Sequence, residues 1–260
     1  TGQQTVDFDL SAAEQAGLIV VWGMNWICTK MPDSHWLTEA RLKGTKVVVI
    51  SVEYSSTAPK ADEVVIIRPG TDPAFALGLA QVLIAENRYD AAFVKGFTDL
   101  PLLVRLDTLK LLRAGEVIPG YRSADLQNFT TVLKPGETAP PFPLQDKQLI
   151  PEALRNEWGD FVVWDAKSGG AKAVTRDQVG EHWDRLGIDP ALEGEFTLKT
   201  ADGREVKAVP LFALMRRYLD ENFTPDQVAE ITWAPQEAIV NLARDIARNT
   251  GRTLFPVGMG

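Results

Sequence analysis

Leu18-Ile19-Val20-Val21-Trp22 closes on Gly23, Lys46-Val47-Val48-Val49-Ile50-Ser51 follows one segment later, and Glu63-Val64-Val65-Ile66-Ile67-Arg68 follows that. Short continuous apolar runs rich in β-branched residues, without polar alternation, are the pattern of strands covered on both faces. Between the first two runs, Pro32-Asp33-Ser34 supplies helix-start signals, Trp36, Leu37, Ala40 and Leu42 line one side, and Gly44 stops the segment. Strands separated by crossovers of this kind pair in parallel.

Working outward, Asp72 and Pro73 open a strongly apolar helix that runs to Asn87 through Phe75, Leu77, Leu79, Ala80, Leu83 and Ile84. A second helix is predicted from Ala91 to Phe97. From Lys134 to Pro151 the proline-rich text reads as a linker or surface loop. Phe161 to Asp165 followed by Ser168-Gly169-Gly170 predicts a hairpin, and Phe196 to Thr200 with Glu205 to Val209, turning at Asp202-Gly203, predicts a clearer one. Helices then follow at 212–222, from Thr224-Pro225, and at 235–249, where Ile239, Leu242, Ala243 and Ile246 keep helical spacing and Gly251 is the stop. Thr253 to Val257 returns to the sheet. The expected fold is α/β: an open, mostly parallel Rossmann-like sheet flanked by helices, with a β-rich insertion. The expected division is an α/β half at 1–134, linker and β-rich insertion at 135–210, and the closing helices and strand at 211–260.

Composition narrows the function classes. The 260 residues are 45% hydrophobic and 24% charged, which is ordinary for a globular chain. A formal net charge of -8 provides no basic field for nucleic acid. One cysteine, Cys28, precludes an internal disulfide and leaves too few thiolates for an iron–sulfur cluster or thiolate zinc site within these residues. His35 and His182 are too far apart to form a local metal motif. No apolar run reaches membrane-spanning length, and Thr1 to Gln15 carry neither the basic nor the apolar segment of a signal peptide. The chain stops at Gly258-Met259-Gly260, just after an apolar strand, where a helix or loop normally opens, so we expect a piece of a longer protein.

Three strand ends carry residues suited to a nucleotide. Gly23-Met24-Asn25 makes a tight turn whose backbone amides and Asn25 carboxamide can meet phosphate or pterin oxygens. Ser51-Val52-Glu53-Tyr54 puts an acid where a ribose hydroxyl or guanine edge can be read, although later than the usual dinucleotide offset. Arg68-Pro69-Gly70-Thr71-Asp72 brings a hydroxyl and a carboxylate to a helix N-terminus. Plainer readings stand beside these: Gly23 as a simple turn residue, Asp72 as a helix cap, Glu53 as a solvated loop residue. What favours a ligand is that the three clusters fall at the same edge of one sheet. His35 is expected to be packed or exposed without a ligand, Cys28 to be a small buried side chain, and His182 to have no role. No Ser-His-Asp arrangement can be built.

At these residues the sequence resembles a known family. Trp22-Gly23-Met24-Asn25, Met31 to Arg41, Lys43-Gly44-Thr45-Lys46, Arg68-Pro69-Gly70-Thr71-Asp72 and Phe97 to Arg105 are similar to catalytic subunits of molybdenum enzymes of the dimethyl sulfoxide reductase family. The branch holding respiratory nitrate reductase and nitrite oxidoreductase alpha subunits is the nearest. The resemblance is dense over residues 17–118 and resumes from Tyr218 to Gly260. It implies a piece of a larger molybdopterin oxidoreductase subunit, with molybdenum held between two pterin guanine dinucleotides. Trp22, Gly23 and Asn25, then Ser51, Glu53 and Tyr54, then Gly70, Thr71 and Asp72 would cradle the nucleotide part of one of them. Gly258 and Gly260 match a glycine turn reaching a cofactor near the metal. Many relatives have Asp where Glu53 stands.

The resemblance also implies what lies elsewhere. The aspartate that binds the metal precedes the position of Gly2, and the ligands of a 4Fe-4S cluster lie further upstream. Asp7 and Asp9 follow that position and are expected on the surface, so these residues alone should not turn over substrate. The implied activity is oxygen-atom transfer between nitrite and nitrate, with other oxyanion reductases and hydrocarbon dehydrogenases of the branch behind. The implied partners are an iron–sulfur beta subunit and a haem or membrane gamma subunit, with a small oxyanion as substrate and no nucleic acid; compartment varies among relatives. From other classes, a non-catalytic nucleotide-binding module stays open, while a nicotinamide dehydrogenase is disfavoured by the missing glycine fingerprint.

Overall fold

The structure is a computed structural model that describes residues 10–124, 130–133, 135–136, 148–175 and 182–258. In chain order the main elements are β1 (Leu18–Trp22), α1 (Trp26–Thr29), α2 (Ser34–Leu42), β2 (Lys46–Ser51), β3 (Glu63–Ile66), α3 (Asp72–Ala85), α4 (Ala91–Phe97), β4 (Leu103–Arg105), α5 (Ala114–Val117), β5 (Thr130–Leu133), β6 (Gln148–Pro151) and α6 (Glu152–Trp158). They continue as β7 (Phe161–Asp165), β8 (Gly170–Val174), α7 (His182–Leu186), β9 (Phe196–Lys199), β10 (Glu205–Pro210), α8 (Leu211–Asn222), α9 (Pro225–Thr232), α10 (Gln236–Arg248) and β11 (Thr253–Leu254). Two compact units result: Thr1–Tyr89 with Tyr218–Gly260, and Asp90–Arg217.

The first unit is built on a sheet of order β11-β1-β2-β3, parallel throughout. Alternate residues of the apolar runs face opposite sides, as the pleat requires. Leu18, Val20, Val48 and Ile50 pack with Phe75, Leu79 and Val82 of α3 and with Val228, Ile239 and Leu242 of α9 and α10. Ile19, Val21, Val47 and Val49 pack on the other side with Trp26, Leu37 and Ala40. At Gly78 an added Cβ would lie 2.9 Å from a Val228 methyl, so the glycine sets how closely α3 and α9 approach. The chain leaves β1 toward β2 and β3, yet β11 returns to its other side. That makes β1 and β11 the place where the winding reverses, and the crevice outside their carboxyl ends is where ligands of such sheets bind.

Two strands are shorter than the sequence predicts. The third run ends at Ile66: Ile67 N–H still donates to Ser51 O at 2.9 Å, but Arg68 N–H turns away to Thr232 O at 2.7 Å. The last strand is continuous only over Thr253–Leu254, because Pro256 has no N–H for the ladder. Its register nevertheless persists: Trp22 N–H donates to Pro256 O, and Gly258 N–H donates to Trp22 O, each at 2.9 Å.

The second unit contains the antiparallel sheet β4-β10-β9, the hairpin β7-β8 and the parallel pair β5-β6. The two expected hairpins are present. Residues 148–151, expected in the linker, form β6 instead; residues 134 and 137–147 of that linker lie outside the described residues. The division also falls at Tyr89 rather than at residue 134, since β4 pairs with β10 and takes no place in the parallel sheet. Asp165 closes the β7–β8 turn by accepting from the Ser168 hydroxyl at 2.5 Å and from the backbone N–H groups of Asp189, Lys167 and Ser168. Those donors, the Ser168 hydroxyl first, hold its carboxyl down at about 2.

Candidate functional site

The carboxyl ends of β1, β2 and β11 and the N-terminus of α3 surround one cleft of about 810 Å³ in the first unit. Its size falls in the range of small-molecule and cofactor sites, roughly 300–1,000 Å³. Trp22, Gly23 and Asn25 line it from the first turn, Ser51 and Glu53 from the second, Gly70 and Asp72 from the third, and Gly258 from the end of the last strand. The loops that the sequence singles out are therefore brought together on a single rim.

Local sequence explains each loop. Gly23 adopts φ +60 and donates its N–H to Ile50 O of β2 at 2.9 Å, so among the backbone amides of this turn that of Gly23 is already committed to the β1–β2 pairing. The N–H groups of Met24 and Gly70 meet no acceptor among the described residues. A Cβ on Gly258 would stand 2.5 Å from Gly23 O, and this contact demands glycine there. Arg68 to Thr71 is a turn with Pro69 and then Gly70 at φ +79, closed by Thr71 N–H donating to Arg68 O at 3.2 Å; only glycine takes that φ without strain.

Side chains then tie the loops across the cleft. Trp22 Nε1–H donates to Asp72 Oδ1 at 2.8 Å, and the Trp22 ring meets Phe75 edge-on at 5.6 Å. Asp72 is not the helix cap. Thr71 occupies that position, and Asp72 sits in the first turn, where a carboxylate is favoured by the helix dipole and already takes one indole donor. Asn25 Oδ1 accepts from Ser56 Oγ at 2.9 Å and from Thr57 Oγ1 at 2.8 Å, which draws the second loop onto the first. Ser51 Oγ accepts from Glu53 N–H at 3.2 Å, while the Glu53 side chain stands exposed at the rim.

Other singled-out residues fall elsewhere. Tyr54 is 69% exposed and is not among the cleft-lining residues. Thr71 turns its hydroxyl back to Arg68 O at 2.6 Å. Gly260, Asp7, Asp9 and the His182 side chain lie outside the described residues. His35 is exposed, 3.0 Å from Pro32 O through Nδ1 and with its ring tilted at 39° to that of Trp36, and it is not among the cleft-lining residues. Cys28 is exposed, not buried as expected: in the single turn of α1 Trp26 takes the buried position, and the thiol faces out, 3.0 Å from Ser56 Oγ. Three residues not expected at the site also belong to it: Ser55 lines the cleft, and Ser56 and Thr57 are partners of Asn25. The unbroken hydroxyl run Ser55-Ser56-Thr57 just after a strand end was the available signal.

The residues present fit the nucleotide part of a dinucleotide cofactor. Asn25 Nδ2 and the bare amides of Met24 and Gly70 are donors for phosphate or carbonyl oxygens. The Glu53 carboxylate suits the amino-bearing edge of a base, and Gly70 has no atom within 4 Å of an added Cβ, which leaves room for a ligand against the backbone. Among the described residues no group of three or more His, Cys, Asp and Glu could hold a metal ion. No helix among them is long and apolar enough to cross a membrane.

Comparison with known proteins places the chain in a family. The sequence pattern of the family described as molybdopterin oxidoreductase matches residues 1–260. The chain is 36% identical to the perchlorate reductase subunit alpha of Dechloromonas aromatica over 95% of its own length and 26% of that protein. It is 33% identical to the respiratory nitrate reductase subunit alpha of Haloferax mediterranei over 95% of its length and 22% of that protein. Among solved structures, acetylene hydratase from Pelobacter acetylenicus aligns at 14% identity and a TM-score of 0.42, over 95% of this chain and 20% of that one. The chain thus spans about a quarter of the length of the curated relatives it matches. It belongs to the molybdopterin oxidoreductase family.

Proposed function

We propose, from that family membership, that these residues are the part of a catalytic subunit that grips the guanine nucleotide arm of a molybdopterin cofactor. The single observation that supports this best is the convergence of the loops after β1, β2 and β3 with Gly258 on one cleft. In this reading Asn25 and the amides of Met24 and Gly70 bind phosphate oxygens, Ser51 and Glu53 take the ribose or the guanine edge, and the Trp22–Asp72 bond fixes the floor. When bound, the metal of the cofactor supplies oxygen-atom and two-electron chemistry. The chain's own share is to hold and orient the arm.

The whole subunit is proposed to carry molybdenum between two such dinucleotides and a 4Fe-4S cluster, and to pass electrons through an iron–sulfur beta subunit and a haem or membrane gamma subunit. Its substrate class is a small oxyanion, with nitrite–nitrate interconversion as the specific reaction. A chlorine oxyanion is the second reading, favoured by the perchlorate reductase relative. Purification of the full-length complex tests both levels. Molybdenum, pterin and GMP released on acid hydrolysis are expected, and reduced-dye assays with nitrate, perchlorate and chlorate, together with nitrite oxidation, separate the substrates. A parent complex free of molybdenum and pterin, but normally folded, leaves only a non-catalytic nucleotide-binding module.

A further inference from the structure

A carboxamide can turn by half a rotation at little steric cost, exchanging a donor for an acceptor, so a residue that binds through one end needs something to fix it. At Asn25 that fixing comes from outside the cleft. Thr57 is fully buried at 0% exposure, and its Oγ1 already accepts the Ile27 N–H at 3.1 Å. The hydroxyl proton of Thr57 therefore needs an acceptor of its own, and Asn25 Oδ1, 2.8 Å away, provides it. Ser56 Oγ donates to the same oxygen from 2.9 Å. If the amide turned, Nδ2 would face these hydroxyls and the buried Thr57 proton would lose its acceptor, which disfavours the turned form by about tenfold or more.

We propose that Thr57 is a positioning residue whose hydroxyl, with Ser56 beside it, locks the Asn25 amide with Nδ2 toward the cleft as a fixed donor to an oxygen of the bound nucleotide arm. Thr57 touches no ligand itself. Its effect passes entirely through Asn25, and the assignment rests on the nucleotide reading of the same cleft. Three neighbouring hydroxyl residues thereby divide their work: Ser55 lines the cleft, while Ser56 and Thr57 stand behind Asn25.

The test uses the full-length subunit in its complex, with pterin release rate followed by fluorescence, molybdenum content, and the melting temperature of the cofactor-stripped protein. Thr57→Val keeps the shape and removes the hydroxyl, Thr57→Ser keeps the hydroxyl, and Asn25→Ala removes what is positioned. Thr57→Val is expected to release pterin about tenfold faster, Thr57→Ser to stay within about twofold of wild type, and Thr57→Val to add nothing in the Asn25→Ala background. Should Thr57→Val not fold, Ser56→Ala, at an exposed position, carries the same comparison in both backgrounds with an expected effect of about threefold. Wild-type release from both Thr57→Val and Ser56→Ala, or an undiminished effect of either without Asn25, overturns the positioning role. Absence of pterin from the wild-type complex overturns instead the nucleotide reading beneath it.

Discussion

The two ends of the parallel sheet in the first unit are built on opposite terms. At the amino end the polar groups are spent on one another. Lys46 Nζ reaches Asp245 at 2.6 Å and Glu63 at 3.0 Å, Asp62 takes Arg41 at 2.9 Å and Val47 N–H at 2.7 Å, and Thr45 Oγ1 donates to Ala16 O at 2.7 Å. Burial pushes the Asp245 carboxyl up, but its bonds from Lys46 and Arg248 outweigh this and leave it below the ordinary value. Burial likewise lowers Lys46, and the Asp245 and Glu63 carboxylates more than restore it, raising it overall. At the carboxyl end, by contrast, Asn25 Nδ2, the Met24 and Gly70 amides and the Glu53 carboxylate meet no partner among the described residues around an open cleft. Polar groups satisfied internally hold a fold together, and groups left open bind something else. The same strands serve both ends, with stability concentrated at the closed end and binding groups at the open one.

The largest effect that would sharpen this contrast is expected from Gly258→Ala. The new methyl would meet a backbone oxygen, Gly23 O, at 2.5 Å, and neither strand end can yield without breaking the Gly258 N–H bond to Trp22 O. We expect local destabilisation of about 3 kcal/mol, read as hydrogen exchange over 18–23, together with loss of pterin from the full-length complex. Gly17→Ala is the control at the amino end. There the methyl meets the Asn249 Oδ1 side-chain atom, which can swing aside.

Next in size is Asp245→Ala, which removes the most buried carboxylate of the closed end. Lys46 would keep Glu63, and its side chain is 36% exposed, so the cost is held to about 2 kcal/mol. Exchange over 46–51 should rise while pterin content stays unchanged, and a parallel loss of pterin would mean that the two ends are not separable. A smaller and graded version comes from pH. Asp245 and Asp62 have carboxyls held below the ordinary 3.8, so their contribution is full above that value and disappears as pH falls through the lowered ones. Lys46 is raised above 10.5, so its contribution is full below that value and is lost only as pH rises through the raised one. Exchange over 46–51, corrected for its intrinsic pH dependence, should be flat between these limits and quicken in acid; Asp245→Ala should flatten the acid limb.

How much of this was legible differs between the ends. β1, β2, α2, α3 and α10 could be read because their apolar runs and spacings are local, and the glycines at 23 and 70 mark turns that need positive φ. The closed end was invisible, since Lys46 and Asp245 are 199 residues apart and nothing in their neighbourhoods announces the pairing. β6 was missed because proline-rich text masked a short strand whose pairing with β5 is non-local. At the site, the rim was legible as strand ends. The depth was not: Thr57 behind Asn25 depends on how a loop folds back, and nothing local to Asp72 announces that its carboxylate accepts from the Trp22 indole 50 residues away.

The smallest effect is expected where sequence and geometry part company. Tyr54 follows Glu53 directly, and the family resemblance places both in the cradle, yet the chain bends after β2 and carries Tyr54 off the rim. Here Glu53 lines the cleft and Tyr54 is 69% exposed. Tyr54→Ala should therefore change local stability by less than about 0.5 kcal/mol and leave pterin release where it was. Glu53→Gln, one residue away, should quicken release by several-fold, because Gln can keep a hydrogen bond but loses the charge that strengthens it. If Tyr54→Ala quickens release as much as Glu53→Gln, the loop must turn over when the nucleotide arm is bound, and the open end would be shaped by its ligand rather than by the strands beneath it.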